Sequence, residues 1–442
     1  MLTSRSGVQC TTQPLRECPV TAAPLRAAAA LTAAALALTA CSGGNAASDD
    51  GKSFTYWSMW KENEPQAQVL AQAVADFEKE TGIDVTVQWQ GRDVLKKVVP
   101  ALRGGDVPDL VDQEEAGVRA NLVASDQFRD LSAVYAAEVP GSGKKVSDVV
   151  ADKYTGTLKK DGKFFLVPYE IIGNGLWFDG SKLPGTAPKS WDELAALFAK
   201  AKGEGRAPIA LDADIPYYNA YWTVGVLQGA LGAGKVDELA KDKTGKAWDT
   251  PEVRAALGKV KALVDDKHFI DGYDGSKWPA VQEKWAQRQA DFLLMGSWAP
   301  SETGPKAAQG FQFTFTPLPG AKTTVPVSNL GFAIPKPAKK AAAAEKFIAY
   351  FLKDAHLSKI ATTAKNLTPN PALPVPDDLK GLGAALETLP VSRPIDGIDE
   401  IPGYAEEAFY PVNDQLIKGK TDVDGFLSQL AEKQANYWKK NG

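Results

Sequence analysis

The sequence predicts an α/β fold in two parts, and three observations carry that prediction. From Ser53 onwards, short apolar strands alternate with amphipathic helices over short links, the pattern of a parallel α/β unit. A second run of the same kind begins at Lys163. The chain is also long, 442 residues, beyond the size at which a single hydrophobic core stops growing and chains divide.

Before the first strand lies a segment of a different kind. Arg5, Arg16 and Arg26 precede an apolar stretch from Ala27 to Ala40, which ends in Leu38, Thr39, Ala40 and Cys41. Positive charge, a short apolar run and small residues at its end describe a secretory signal. As a helix the run covers about 21 Å, short of the ~30 Å hydrocarbon core of a bilayer. Its last four residues resemble the bacterial lipobox, which implies cleavage before Cys41 and a lipid on its thiol. Residues 42–52, "SGGNAASDDGK", then read as a flexible tether spanning about 18 Å on average. Of the three cysteines, Cys10 and Cys18 would leave with residues 1–40, so an acylated Cys41 leaves no thiol for a disulfide.

In the first part, "SFTYW" (53–57) is a strand. Ala67, Leu70, Val74 and Phe77 then recur at helical spacing, with Pro65 at the start and Gly82 at the end. Val85, Val87 and Trp89 alternate as in a half-buried strand. A second helix runs to about Arg103, and "GGDVPDLV" turns into a third strand. Ligands meet such sheets at the loops after the strand C-termini, here at Ser58, Met59 and Trp60 and at Asp112 to Glu115.

The second part opens with "KFFLVPYE" (163–170), a glycine-flanked link "IIGNG" and a further strand "LWF". Gly173 and Gly175 are suited to absorbing backbone rotation there. Ser190 to Glu193 form a capping box before a helix that uses Trp191, Leu194, Phe198 and Ala201. "APIAL" (207–211) is a strand followed by the aromatic "IPYYNAYW" and a helix to about Gly232. Thr250 caps another helix, with Pro251 at its first position and Val253, Leu257, Val260 and Val264 on one face. "ADFLLMGSW" (290–298) is a buried strand ending in a turn, "LGFAIP" (330–335) is strand-like, an Ala-rich helix runs through Leu352, and two helices follow Pro402.

Composition removes several function classes. The net charge is −4, and loss of residues 1–40 makes it more negative, so no basic surplus exists to hold a nucleic acid backbone. His268 and His356 are the only histidines, neither at metal-ligand spacing, so neither a His-based catalytic triad nor a metal site is expected. No cofactor is expected either. Aromatic side chains dominate instead, with 11 tryptophans.

Six segments stand in an order and spacing that resemble the extracellular solute-binding proteins of ABC transporters, in the branch that includes maltose- and other sugar-binding proteins. They are "FEKETGIDVTVQW", "PDLV", "VPYE…GNGLWFDGSKL", "PKSWDELAALFAKAK", "FLLMGSW" and "LGFAIPKPAKKAAAAEKFIAYFL". The resemblance runs from about Ser53 to Trp438. It implies a periplasmic-binding-protein-like fold of type II: two α/β lobes, a central ligand cleft and hinge crossings. It places the crossings near Glu170 to Asn174, Ser328 to Gly331 and Asn366 to Asn370. The N-terminal lobe is then 52–170 plus 332–366, and the C-terminal lobe 174–325 plus 370–442.

The same resemblance ranks the candidate ligand contacts. Trp298 matches the position where the family stacks a tryptophan on a sugar, an apolar indole face against the apolar C–H face of a pyranose; the alternative is a core tryptophan capping its strand. Gly296 would let a backbone N–H approach a hydroxyl. Trp60 would stack from the opposite lobe, or else cover a helix end. Gln113 and Glu114 would each take sugar hydroxyls, against the reading of a solvated helix start. Tyr169 and Glu170 border the first crossing and Asn329 the second; the alternative for Glu170 is a hinge contact without ligand. From Tyr217, Tyr218 and Trp222, at least one is expected in the cleft. Trp191 and Trp285 are expected in the core.

These features imply a lipid-anchored, monomeric receptor on the outer face of the cytoplasmic membrane, delivering a carbohydrate, most naturally an oligosaccharide, to membrane permease subunits. Lobe closure around ligand shifts a pre-existing equilibrium, and no bond of the ligand is broken. A glycosidase is the rival from another class. Neighbouring Glu114 and Glu115 point opposite ways in an extended segment, which defeats the ~5–9 Å pairing that glycoside hydrolysis needs. Within the binding class, a phosphorylated polyol such as glycerol 3-phosphate is the alternative, and it would want Arg92, Arg119 or Arg393 in the cleft.

Overall fold

A computed structural model describes residues 51–185 and 187–442; the signal segment, Cys41 and nearly all of the tether lie outside the described residues. The parallel unit forms as its pattern predicts. Strands β1 (Ser53–Ser58), β2 (Asp84–Trp89) and β3 (Leu110–Glu114) pair parallel, with β1 in the middle. The helix Pro65–Thr81 between β1 and β2 buries Ala67, Leu70, Val74 and Phe77, and Gly82 ends it at φ 69°, a left-handed cap that costs glycine little. Alternating burial along β2 marks an edge strand.

A small hairpin, β4 (Lys159–Lys160) and β5 (Lys163–Phe164), precedes the long β6 (Val167–Asp179). The expected break at "IIGNG" is absent. All thirteen residues of β6 are buried, and the strand runs unbroken through the middle of the molecule. Gly173 and Gly175 are closely packed: a Cβ on Gly173 would lie 2.5 Å from Leu382 Cδ1, and one on Gly175 2.4 Å from the Phe315 ring.

Beyond β6 come β7 (Ala207–Ala210), β8 (Ala290–Gly296), β9 (Phe313–Thr316), β10 (Val325–Ala333) and the two-residue β11 (Val391–Ser392). The main sheet runs β2-β1-β3-β10-β6-β8-β7, with β9 on β6 and β11 on β10. β10 is antiparallel to both β3 and β6, and β6 is antiparallel to β8 and β9. Where β10 bulges between Leu330 and Gly331, a Cβ on Gly331 would meet Val167 O at 2.4 Å; glycine there admits the close approach of β6.

Two hydrophobic cores flank this waist. One gathers Phe54, Leu70, Phe77, Leu95, Phe165, Tyr169, Phe332 and Phe347. The other gathers Trp177, Phe198, Trp222, Trp248, Leu257, Trp285, Phe292, Phe409 and Phe426. The capping signals operate in the second: Ser190 Oγ accepts from Glu193 N at 3.2 Å, and Thr250 Oγ1 from Val253 N at 3.2 Å. The chain also passes the waist near Leu367, whose carbonyl accepts from Ile171 N at 2.8 Å.

Candidate ligand site between the two cores

β8 delivers Trp298 to the boundary. Among the described residues it is the one partly buried apolar side chain packed against both cores. Gly296, two residues earlier, has a different role from the one expected of it. A Cβ there would fall 2.1 Å from Trp298 Cζ3, so the missing side chain makes room for the indole rather than for a ligand hydroxyl.

The helix Pro216–Leu231 supplies the next wall. Tyr217 and Tyr221 are one turn apart, with ring centroids 4.8 Å apart and neither hydroxyl partnered. Tyr218 stacks on Tyr221 at 6.0 Å and 19°. Trp222 points the other way. It is fully buried between Phe198 and Phe269, which corrects its assignment to the cleft. Sequence reading picked the larger ring, whereas helical spacing (i, i+4) selects Tyr221 as the companion of Tyr217.

Across from these tyrosines lies Glu114, at the C-terminal end of β3, whose Oε1 accepts a short hydrogen bond from Ser328 Oγ on β10. Burial pushes its carboxyl up, Ser328 pulls it back, and the charge of Glu115 pushes it up again. The neighbouring Asp399, from the turn Pro394–Glu400, is held well above the usual carboxylate range by loss of solvent, then by the charges of Glu114 and Glu400. Tyr217, Tyr221 and Tyr410 all lie within the fields of both acids. Sequence analysis missed Asp399 and Tyr410; neither stands in a motif, and only the fold brings them to Glu114.

Arg119 closes one side. Its guanidinium stacks 4.7 Å over the Phe165 ring of the first core, and reaches Glu115 Oε1 at 3.2 Å and Glu400 Oε2 at 2.9 Å. Glu400 follows Ile395 and Ile398 of the second core, so this ion pair spans both. Arg393 holds the same Glu400 at 2.6 Å and Asp237 at 3.1 Å. At the opposite side, Arg92 lies 4.4 Å over the Trp60 ring and pairs with both oxygens of Glu64. Each arginine considered for phosphate is thus already engaged by carboxylates, which disfavours the phosphorylated-polyol reading.

Several predicted contacts prove to be supports. Trp60 is 5% exposed; Arg92 covers one face and its Nε1 donates to Tyr169 Oη at 2.7 Å. Tyr169 is fully buried and donates in turn to Asp112 Oδ2 at 2.6 Å, while Asp112 Oδ1 accepts from Met59 N at 2.9 Å. That chain ties the β1 loop to β3 and β6, and it removes Tyr169 from the ligand surface. Gln113 spends its amide locally, donating to Arg92 O at 3.0 Å and accepting from Glu114 N at 2.9 Å. Asn329 donates to Glu115 Oε2 at 2.7 Å and steadies that acid. Glu170 is fully buried at the waist, accepting from Asn366 Nδ2 at 2.8 Å and Gln66 Nε2 at 3.4 Å. Trp285 is core, and Trp191 packs at the core's edge.

No group of three or more metal-type ligands exists among the described residues. What the geometry defines is a binding protein: two cores joined by long buried strands, with aromatic faces and acids meeting between them. Its chain belongs to the bacterial extracellular solute-binding proteins, whose family model matches residues 60–356. It is 28% identical over 263 residues, 58% of this chain and 54% of the relative, to the diacetylchitobiose binding protein NgcE of Streptomyces coelicolor. The match therefore spans about half the length of that relative. A solved chitin oligosaccharide binding protein superposes with a TM-score of 0.72, at 16% identity, over 88% of this chain and 100% of its own. RafE in complex with raffinose superposes at 0.70, at 16% identity, over 87% and 99%. These structures show the type II periplasmic-binding fold; family and neighbours are binding proteins, not enzymes.

Proposed function

We propose that the protein is the substrate-binding component of an ABC importer and captures an oligosaccharide between its two cores. The observation that carries this reading is Trp298, set against both cores, the second of which carries the mutually packed Tyr217, Tyr218 and Tyr221 rings. An indole contacting both halves rewards a flat apolar guest only when the halves are together. Pyranose rings present such a face, and their hydroxyls suit the unpartnered phenols of Tyr217 and Tyr221. Ligand that touches both halves favours the closed state by its differential affinity, and a permease can read closure from surface shape. The neighbours that bind chitin oligosaccharide and raffinose support the sugar class, as does the relative named for diacetylchitobiose.

The remaining parts of the reading rest on the sequence. Cleavage before Cys41 and lipidation of its thiol hold the receptor at the outer face of the membrane, as a monomer beside its permease. Replacement of Cys41 by serine releases the protein from the membrane fraction if this is right.

The direct test is a thermal-shift and calorimetric screen against mono- and oligosaccharides, since a ligand selective for the native state raises its melting temperature. At 100 times Kd the stabilisation is about 2.7 kcal/mol. At least one oligosaccharide is expected to give a clear shift, reduced at least tenfold in affinity by Trp298→Ala. A shift with phosphate esters or peptides and with no carbohydrate defeats the assignment.

A further inference from the structure

The charges around the site do not balance. Glu115, Glu400 and Asp237 are matched by Arg119, Arg393 and Lys241, which pair with them at 2.6–3.2 Å. Glu114 and Asp399 have no ion-pair partner among the described residues. They come from opposite halves, Glu114 from β3 and Asp399 from the turn after Arg393. Beside them the Tyr221 side chain is 5% exposed and its hydroxyl is unpartnered. A buried phenol without a partner is costly to leave so, and this one lies within the fields of both acids, as do Tyr217 and Tyr410. At the other end Glu302, one helical turn beyond Trp298, bonds only Gln282 at 3.0 Å and also lacks a cation partner.

Glu114 and Asp399 each adjoin one of the two acids that Arg119 bridges, Glu115 at 3.2 Å and Glu400 at 2.9 Å, and two carboxyls brought near each other repel unless a cation or a proton comes between them. A neutral oligosaccharide satisfies their acceptor capacity but leaves the repulsion. A sugar bearing an ammonium group satisfies both. Resting on the oligosaccharide reading above, we propose that the ligand is an amino-sugar oligomer with at least one free, unacylated amine, seated between Glu114 and Asp399 and stacked on Trp298. The ring still needs the indole, which is why a simple polyamine fits less well.

Both acids are held above their ordinary range in the ligand-free protein, chiefly by loss of solvent and then by surrounding charge. An incoming ammonium offsets the like charges of the two acids. The fixed charges facing the pair are Glu115 and Arg119 from the first core's side and Glu400 and Arg393 from the second.

The test is isothermal titration of the purified protein with a glucosamine trimer, its fully N-acetylated counterpart, maltotriose, spermidine and calcium chloride. The glucosamine trimer is expected to bind at least tenfold more tightly than the acetylated trimer. Glu114→Gln and Asp399→Asn should each collapse that preference to below threefold. Both replacements are nearly isosteric, and either alone suffices if the other fails to fold. Equal or tighter binding of the acetylated trimer overturns the amine proposal and leaves the oligosaccharide receptor standing. Binding of spermidine or calcium in preference to every sugar, or of no carbohydrate at all, overturns the receptor reading itself.

Discussion

Replacing Glu170 by glutamine tests the waist of the molecule, and its effect should depend on pH in a calculable way. Glu170 is fully buried on β6; one oxygen accepts from Asn366 and Gln66 and the other has no partner. Burial raises its carboxyl to about 8 from an ordinary value of 4.5, with Gln66 and Arg92 pulling down and Asp112 and Glu64 pushing up. The folded value lies above the unfolded one. Its stabilising contribution is therefore complete below about 4.5 and is lost as pH rises towards and through about 8. At 1.36 kcal/mol per pKa unit the full loss approaches about 5 kcal/mol, of which about 4 falls between pH 5 and pH 9.

Glutamine reproduces the neutral acid: its carbonyl accepts from Asn366 and Gln66, and it cannot ionise. Urea unfolding of both proteins at unit steps from pH 5 to pH 9 isolates the term, because other titrating groups cancel in the difference. The advantage of Glu170→Gln over the parent should grow by about 4 kcal/mol across that range and flatten above pH 8. A neutral-carboxyl infrared band present at pH 7 in the parent and weakened in the variant would corroborate it. A difference that does not change with pH would falsify the argument, whatever its absolute size.

Other substitutions separate scaffold from site. Trp222→Ala should destabilise by about 3–5 kcal/mol through the cavity it leaves, seen as a lowered unfolding midpoint. Arg119→Met leaves Glu115, 6% exposed, without its cation and leaves Glu400, 8% exposed, to Arg393 alone. A loss of about 3–5 kcal/mol is expected, with a larger radius of gyration in solution scattering without ligand; an unchanged radius would show that the ion pair does not hold the halves together. Gly331→Ala forces a Cβ to within 2.4 Å of Val167 O, so a lowered melting temperature is expected, and an unaltered one contradicts the tight β6–β10 approach. Tyr169→Phe breaks the Trp60–Tyr169–Asp112 chain and should cost about 1–3 kcal/mol while leaving the far core's hydrogen exchange unaffected.

The fold was legible wherever periodicity and end signals coincide. Pro65, Gly82, Ser190 and Thr250 mark helix ends because each solves a backbone problem that any α-helix has. The alternation of Val85, Val87 and Trp89 reports one wet face. β6 defeated that logic. A strand buried on every side carries no alternation, and nothing in its glycines announces the close packing of Leu382 and Phe315 against them.

The site was less legible, for a physical reason that also explains the pattern of errors. Sequence marks which residues end a strand near the cleft, so Trp298 and Glu114 were within reach. It does not mark which of them are consumed by neighbours. Trp60, Gln113, Tyr169 and Asn329 all have chemistry suited to a sugar, and each spends it on Arg92, Asp112, Glu115 or the adjacent backbone. What remains unspent is smaller and partly unforeseen: Glu114, Asp399 and the Tyr217 and Tyr221 hydroxyls. A buried polar group without a partner is tolerated only where something else completes it. On that argument the unspent groups, rather than the most conspicuous rings, specify the ligand. Two acids without cations then make charge, not size alone, the property to vary first.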